Sequence, residues 1–129
     1  MPERSRVAAF VAAVVAGAHV QAIADYYHED ASMQENDKPP RRGRDRLMRH
    51  EAEFLERVQR MATHPAKVVL VDGDHVVINW VFDMTDANGT TRRLEELSLQ
   101  RWRGDRILEE RFFYDTATAW RPVQAPAGN

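Results

Sequence analysis

Three ionisable side chains stand where they could move protons, and they are His50, Glu35 and Glu96. His50 lies three residues after Leu47 and four before Phe54, so a helix would carry all three on one face. The ordinary pKa of histidine, about 6.5, suits a general acid or base at neutral pH. His50 is therefore a candidate proton shuttle. The alternative is a partly buried histidine that is satisfied by a hydrogen bond.

Carboxylates at two further positions could take part in the same chemistry. Glu35 ends a short predicted strand beside the loop at Pro39 and Pro40, where it could act as a base or lie solvated at a pocket rim. Glu95 and Glu96 are adjacent, and neighbouring residues of a strand face opposite sides of the sheet. The register of the strand predicts that Glu96 faces the cavity and Glu95 the outside, although a single bulge would exchange them.

The segment that follows the turn at Gly104 and Asp105 mixes apolar and ionisable residues on both of its faces. A strand over a dry core would keep carboxylates off its buried side. This segment is therefore predicted to lie at a sheet edge or to line a ligand cavity. We assign its residues by alternation to an inner face with Glu110, Phe112 and Tyr114 and to an outer face with Ile107 and Phe113.

Aromatic and polar residues at other inward positions complete the predicted pocket. Trp80 and Phe82 could provide flat walls for a ring-bearing ligand, although core packing explains most of their strand equally well. Gln100 or Tyr114 is predicted to orient a ligand oxygen. The whole predicted lining is Phe54, Trp80, Phe82, Gln100, Glu110, Phe112 and Tyr114, with Met48 beside it.

Hydrophobic periodicity predicts the elements that position these residues. Helical spacing indicates a first helix that ends at Gly17, a second over 19–27 and a third from Gly43 to 63. Residues 28–30 break the pattern before a short strand over 31–35. Alternation indicates four long strands over 66–72, 75–85, 91–103 and 107–115, with Asn88-Gly89 as a strong hairpin signal.

This order of elements predicts the fold class. We expect a single α+β domain over 1–121, in which a cone-shaped curved sheet, mixed or antiparallel, wraps around a long helix and three helices lie in the N-terminal half. Residues 122–129 contain prolines and a glycine and are predicted to be a flexible tail. The apolar run after Arg6 resembles a signal peptide, but its helical spacing favours the first helix.

Composition limits the classes of partner. The chain has 129 residues, a net charge of −2 and no cysteine, and its pI is near 6.2. The absence of a basic field makes nucleic acid and acidic membranes poor partners. A chain without cysteine has no thiolate nucleophile and fits a reducing cytoplasm. His50-Glu51 starts like a zinc-protease helix but lacks the second histidine, so no metal is predicted.

Several local sequences resemble the nuclear transport factor 2-like superfamily, especially SnoaL-like polyketide cyclases and steroid Δ-isomerases. The resemblance extends from Val7 to Asp115. The sequences that carry it are Tyr27-His-Glu-Asp-Ala31, Gly43-Arg-Asp-Arg-Leu47, Gly104-Asp-Arg-Ile107 and Arg111-Phe-Phe-Tyr-Asp115. The superfamily holds isomerases, cyclases, hydrolases and noncatalytic proteins, so the resemblance implies a fold more than a reaction.

The resemblance implies roles for individual positions. Glu35 takes the place of the steroid isomerase base, but Phe10 and Ser98 stand where those enzymes hold an oxygen with tyrosine and aspartic acid. Phe112 stands where related epoxide hydrolases keep a catalytic aspartate. The expectation is a cofactor-free SnoaL-like cyclase or isomerase that acts on a small hydrophobic carbonyl compound through His50, Glu35 or Glu96. The alternative is a noncatalytic ligand-binding or dimerisation module, and a homodimer through the outer sheet face is expected in either case.

Overall fold

The structure is a computed structural model that describes residues 1–123. Within these residues three helices are formed, namely α1 (Arg4–Val15), α2 (His19–Tyr26) and α3 (Arg44–Glu56). The strands are β1 (Tyr27–Glu35), β2 (Arg41–Arg42), β3 (Arg60–Thr63), β4 (Val69–Asp72), β5 (His75–Thr85), β6 (Thr91–Arg103), β7 (Arg106–Phe113) and β8 (Arg121–Pro122). No helix in this part of the chain is long and apolar enough to cross a membrane.

The strands form one curled, mixed sheet. Its order is β2-β1-β7-β6-β5-β3, with β4 also beside β5 and β8 also beside β6. β1 and β7 run parallel, while the other pairs are antiparallel. Phe10 of α1, Ile23 of α2 and Leu47 of α3 are buried with the inner face of the sheet. This arrangement confirms the predicted α+β cone with its three helices in the N-terminal half.

The first helix ends as its glycine predicts. The N–H of Gly17 donates to the carbonyl of Val14 and the N–H of Ala18 to that of Ala13, each at 3.0 Å. These two bonds form a Schellman motif, which requires a left-handed residue after the helix. Gly17 supplies it with a φ of +89°. The turn leads directly into α2, so the first two helices both cover the cone.

The third helix is shorter than predicted. It ends at Glu56, and residues 60–63 form β3 instead of a further helical turn. Met61 pairs with Met84 and Thr63 with Phe82 of β5. The prediction was wrong here because pairing with a long neighbouring strand outweighs local helical spacing.

The first strand begins earlier than predicted. Residues 28–30 do not form a break between helix and strand, since β1 runs from Tyr27 to Glu35. The register of β1 against β7 shifts between Tyr27 and Ser32, so the irregularity lies inside the strand. Tyr27, expected at the end of the second helix, therefore opens β1 with a side chain that is only 3% exposed.

The hairpin of β5 and β6 has the predicted bounds, whereas the next hairpin contains a bulge. Arg101 pairs with Glu109 but Trp102 pairs with Ile107, so Leu108 is an extra residue in β7. The bulge turns Ile107 inward, where it is fully buried. The assignment of Ile107 to the outer face was wrong for this reason, while Phe113 does lie outside.

Part of the predicted tail lies within the described residues. Arg121 and Pro122 form β8 against Arg93 and Arg92, and the N–H of Val123 donates to the carbonyl of Thr91 at 2.8 Å. The prediction of a flexible tail for residues 124–129 lies outside the described residues.

Candidate functional site

The concave side of the sheet and the helices enclose a pocket of about 190 Å³. Its wall is mostly apolar and aromatic, but carboxyl groups from four different elements also reach it. These are Glu35 of β1, Glu51 of α3, Glu96 of β6 and Glu110 of β7, which we call the carboxyl cluster. Two histidines and one arginine, His19, His50 and Arg41, share the same wall.

Glu110 is the most completely satisfied member of the carboxyl cluster. Its side chain accepts hydrogen bonds from the hydroxyl of Tyr27, from Oγ of Ser98 at 2.6 Å and from Nε2 of Gln100 at 2.7 Å. Burial raises the pKa of Glu110, and the three donors oppose that rise. The bulge at Leu108 makes this arrangement possible because it keeps both Ile107 and Glu110 on the inner face.

Gln100 lies behind this carboxylate and not on the pocket wall. It is fully buried, its Nε2 donates to Glu110, and its Oε1 accepts from Nε1 of Trp102 at 2.9 Å. Both ends of the amide are therefore occupied. Contrary to expectation, Gln100 has no free group with which to orient a ligand oxygen.

Glu96 has the opposite environment. It is 7% exposed and lines the pocket, yet among residues 1–123 its carboxyl group has no hydrogen-bond partner. Burial, followed by the charges of Glu110, Glu35 and Glu51, raises its pKa to about 8. At pH 7 this carboxyl group is therefore mostly neutral and can donate a hydrogen bond into the pocket.

The neighbouring carboxylate faces away, as the register predicts. Glu95 is exposed on the outer face, where Oε2 lies 3.6 Å from Nζ of Lys67 and accepts a hydrogen bond from Nδ2 of Asn79 at 3.3 Å. The unbulged pairing of β5 and β6 keeps this alternation intact, with Trp80 opposite Glu96 and Val81 opposite Glu95. Glu95 is thus a matched control for any test of Glu96.

Glu35 and Tyr114 form a pair at the pocket border. The hydroxyl of Tyr114 donates to Oε1 of Glu35 at 3.0 Å, which fixes the carboxylate. Burial and the Glu35 carboxylate raise the pKa of Tyr114 to about 12, so the phenol stays protonated. Glu35 lines the pocket, and Tyr114 supports it from behind.

His50 lies at the solvent-exposed edge of the pocket, on the helix face that its spacing predicts. Partial burial lowers its pKa, and the positive charge of Arg41 lowers it further, while Glu35 and Glu53 act in the opposite direction. The imidazole is therefore neutral at pH 7 and can accept a proton. His19 is a second histidine of the wall, and burial lowers its pKa as well.

Aromatic rings form most of the remaining wall. Trp80 and Phe82 stack with their centroids 5.8 Å apart and an interplanar angle of 29°. Phe10 meets Trp80 edge-on at 6.3 Å, and Phe54 lies 6.0 Å from Trp120. Phe112 also lines the pocket, whereas the predicted neighbour Met48 does not. The ring of Phe10 carries no donor, so no hydroxyl enters the pocket from that position.

Sequence reasoning missed several residues of the pocket. Glu51 shares the inward helix face with Leu47 and Phe54, so its spacing could have identified it. Tyr27 was missed because it was placed in a helix, and no local signal marked His19, Arg41 or Trp120. Among residues 1–123, no group of three or more His, Asp or Glu side chains could hold a metal ion.

This arrangement places a proton donor and proton acceptors around one space. Glu96 supplies a neutral acid, while Glu35 and His50 supply proton acceptors around an apolar space. An apolar wall strengthens a hydrogen bond to a charge that develops beside it, because apolar side chains screen that charge less than water does.

Comparisons with known proteins agree with this fold. The chain resembles a candidate polyketide cyclase of Pseudomonas putida, with 21% identity over 96% of this chain and 99% of the other and a TM-score of 0.76. It also resembles a Catenulispora acidiphila protein with a ketosteroid isomerase-like fold in complex with trimethylamine, with 19% identity over 92% and 91% of the two chains and a TM-score of 0.74.

A third solved structure is TerC co-crystallised with polyporic acid, with 17% identity over 88% of this chain and 91% of the other and a TM-score of 0.73. At these identities the solved structures show a shared fold. No curated protein matches the chain. The family model of the SnoaL-like domain matches residues 7–110. The chain therefore belongs to the SnoaL-like domain family.

Proposed function

We propose that this protein is a cofactor-free acid/base enzyme, a cyclase or isomerase, that acts on a small hydrophobic carbonyl compound. The observation that carries the proposal is Glu96, a residue only 7% exposed whose carboxyl group opens to an apolar pocket and has no hydrogen-bond partner among the described residues. A carboxyl group at this position that had only a structural role would lower the stability of the fold unless it were paired. A ligand that accepts its proton would remove this cost.

The proposed roles follow from the protonation states. Glu96, neutral at pH 7, donates a hydrogen bond or a proton to the carbonyl oxygen of the ligand. Glu35, held by Tyr114, removes a proton from the carbon next to that carbonyl. His50 is the second candidate for this base, since its lowered pKa leaves the imidazole neutral. Glu110 stays fixed by its three donors and takes no proton from the ligand.

The size of the pocket limits the substrate. An apolar cavity of about 150 Å³ holds one benzene molecule, so the space of about 190 Å³ fits a compact compound with one ring. Polycyclic compounds would require the pocket to widen. The polyporic acid bound by TerC supports a ring-bearing ligand in this fold, without identifying the ligand of this chain.

Hydrogen exchange tests the proposal without knowledge of the natural product. The protein is incubated in D2O with one-ring aryl and enone ketones, and ¹H NMR measures deuterium uptake next to the carbonyl. We expect uptake above the buffer rate for at least one ketone that binds. Glu35→Gln or Glu96→Gln should slow it about 100-fold or more, and Glu95→Gln should leave it unchanged. Ketones that bind without any exchange would favour the noncatalytic alternative.

We also propose that a second copy of the chain covers the outer sheet face. Large apolar side chains are exposed there on β4 and β6, which both pair with β5, with Leu70 at 59%, Leu97 at 46% and Leu99 at 40%. Exposed apolar surfaces of this kind are typical of association sites.

The proposed location of the protein is the cytoplasm, in keeping with the cysteine-free sequence. Cell fractionation with an antibody would test it.

A further inference from the structure

The carboxyl cluster contains more carboxyl groups than the proposed reaction needs. A carbonyl compound requires one acid and one base, yet four carboxyl groups reach the pocket. Glu110 is satisfied by Tyr27, Ser98 and Gln100, and Glu35 accepts from Tyr114. Within residues 1–123, Glu96 and Glu51 have no hydrogen-bond or ion-pair partner. Two carboxyl groups are thus left unpaired around one small space.

Glu96 gives this cluster the character of a binding site. Only 7% of the residue is exposed, and its carboxyl group points into the cavity without a donor to meet it. An ionised carboxylate so placed costs several kcal/mol unless a cation lies beside it. The one guanidinium of the wall, Arg41, forms no ion pair with Glu51 or Glu96. Glu96 avoids this cost at pH 7 by holding its proton, and a positively charged ligand would stabilise its ionised form.

The aromatic wall decides which kind of cation fits. Trp80, Phe82 and Phe112 line the same pocket, and rings attract organic ammonium groups through their negative faces. A hydrated inorganic ion would instead need several oxygen ligands at fixed distances and would leave the rings without a partner. An ammonium group that carries apolar substituents uses both the carboxylates and the rings.

We infer that the pocket also binds a compact organic cation, one that carries a positively charged nitrogen beside its ring. This inference goes beyond the proposed function, because the cation pairs with the ionised form of Glu96, whereas a carbonyl compound meets the neutral form. Glu96 and Glu51 are the groups that pair with the cation. The other ionisable groups of the pocket wall are Glu35, Glu110, Tyr27, His50, His19 and Arg41. Binding of the cation expels the proton of Glu96, so its affinity rises with pH.

Three one-ring probes of similar size test the inference on the full chain. They are phenyltrimethylammonium, acetophenone and benzoate, which carry a permanent positive charge, no charge and a negative charge. Methyl-labelled methionines report binding, since Met33 and Met61 line the pocket and Met1 lies exposed. We expect the ammonium probe to shift Met33 and Met61 with at least fivefold higher affinity than acetophenone at pH 9.

The dependence on pH provides the second measurement. With a pKa of about 8 for Glu96, the ionised fraction and the affinity for the ammonium probe rise about tenfold between pH 7 and pH 9. Glu96→Gln should remove this rise, and Glu95→Gln should retain it. Equal or tighter binding of acetophenone or benzoate at pH 9 would overturn the inference, as would displacement of the ammonium probe by Mg²⁺ at constant ionic strength.

The two proposals fail in different ways. Binding and deuterium uptake of neutral ketones, without ammonium binding, would overturn the cation inference and leave the acid/base function standing. Ammonium binding without deuterium uptake by any bound ketone would support the inference and contradict the catalytic function. If Glu96→Gln does not fold, the pH dependence of the affinity of the native protein for the ammonium probe still tests the inference.

Discussion

The hydroxyl of Tyr27 donates a hydrogen bond to Oε1 of Glu110 across 83 positions of sequence. This bond joins the first residue of β1 to the middle of β7, at the parallel strand pair that closes the cone. Ser98 and Gln100 complete the donor set from β6. Because Glu110 accepts these hydrogen bonds and Glu96 accepts none, two carboxyl groups of one pocket have different environments.

Truncation of Glu110 should destabilise the fold. Glu110→Ala leaves the donors of Tyr27, Ser98 and Gln100 without an acceptor, and we expect a loss of about 2–4 kcal/mol in the free energy of unfolding. Urea denaturation followed by tryptophan fluorescence measures it. Glu109→Ala, at the exposed neighbouring position, should cost less than about 1 kcal/mol. Equal losses in the two variants would show that the buried network adds no stability.

Glu96 should make the protein less stable as the pH rises. Its pKa is about 8 in the folded state against 4.5 ordinarily, so between these values the folded chain holds a proton that the unfolded chain has released. The contribution of this group to stability is fully present below pH 4.5 and is lost as the pH rises to about 8.

The variant Glu96→Gln tests this relation. We expect it to be more stable than the native protein by on the order of 3 kcal/mol at pH 9 and nearly equal at pH 4. Denaturation series at both pH values give the difference, with Glu95→Gln as the control. A difference that does not change with pH would contradict the assignment.

How far the sequence predicts the structure depends on how local the signal is. The bounds of β5 and β6 follow from alternation and from the Asn88-Gly89 turn, in which Gly89 has a φ of +83°. The inward direction of Glu96 follows from the same register. In contrast, β3 exists only because Met61 can pair with Met84, and no periodicity in the segment itself reveals that partner.

The same difference between local signals and contacts of distant segments applies to the residues of the site. Helical spacing was sufficient to place His50 and Phe54 at the pocket. The bulge at Leu108 moved Ile107 inward, and bulges depend on the pairing of two strands and not on the residues of one. Gln100 was expected to meet a ligand because it faces inward, but its two hydrogen bonds in the core could not be foreseen without the positions of Glu110 and Trp102.

His50 should contribute to ligand recognition. A thermal-shift screen of one-ring ketones compares the native protein with His50→Phe, and His75→Phe on the exposed start of β5 serves as the control. We expect smaller shifts for the His50 variant with every ketone that stabilises the native protein, because the neutral imidazole is removed from the wall. Identical shifts for all compounds would remove His50 from ligand recognition.

A charge on the outer sheet face should prevent self-association. Leu99 lies beside Val77 in the sheet and is 40% exposed, so Leu99→Lys would bury a lysine in the proposed contact. Light scattering coupled to size exclusion should give a dimer for the native chain and a monomer for this variant. Ala12→Lys, at an exposed position of α1, should remain dimeric. A native protein that is monomeric at tens of micromolar would contradict the dimer.

Both functional proposals depend on a pKa of about 8 for Glu96, which leaves the group mostly neutral at pH 7 and mostly ionised at pH 9. The most direct measurement is the pH titration of its side-chain carboxyl carbon by ¹³C NMR, with the signal assigned through Glu96→Gln. We predict a midpoint at a pKa of about 8, which falls in Glu110→Gln because the neighbouring charge is removed. A midpoint near the ordinary carboxyl pKa of 4.5 would show that Glu96 is ionised at neutral pH and would contradict its role as the acid.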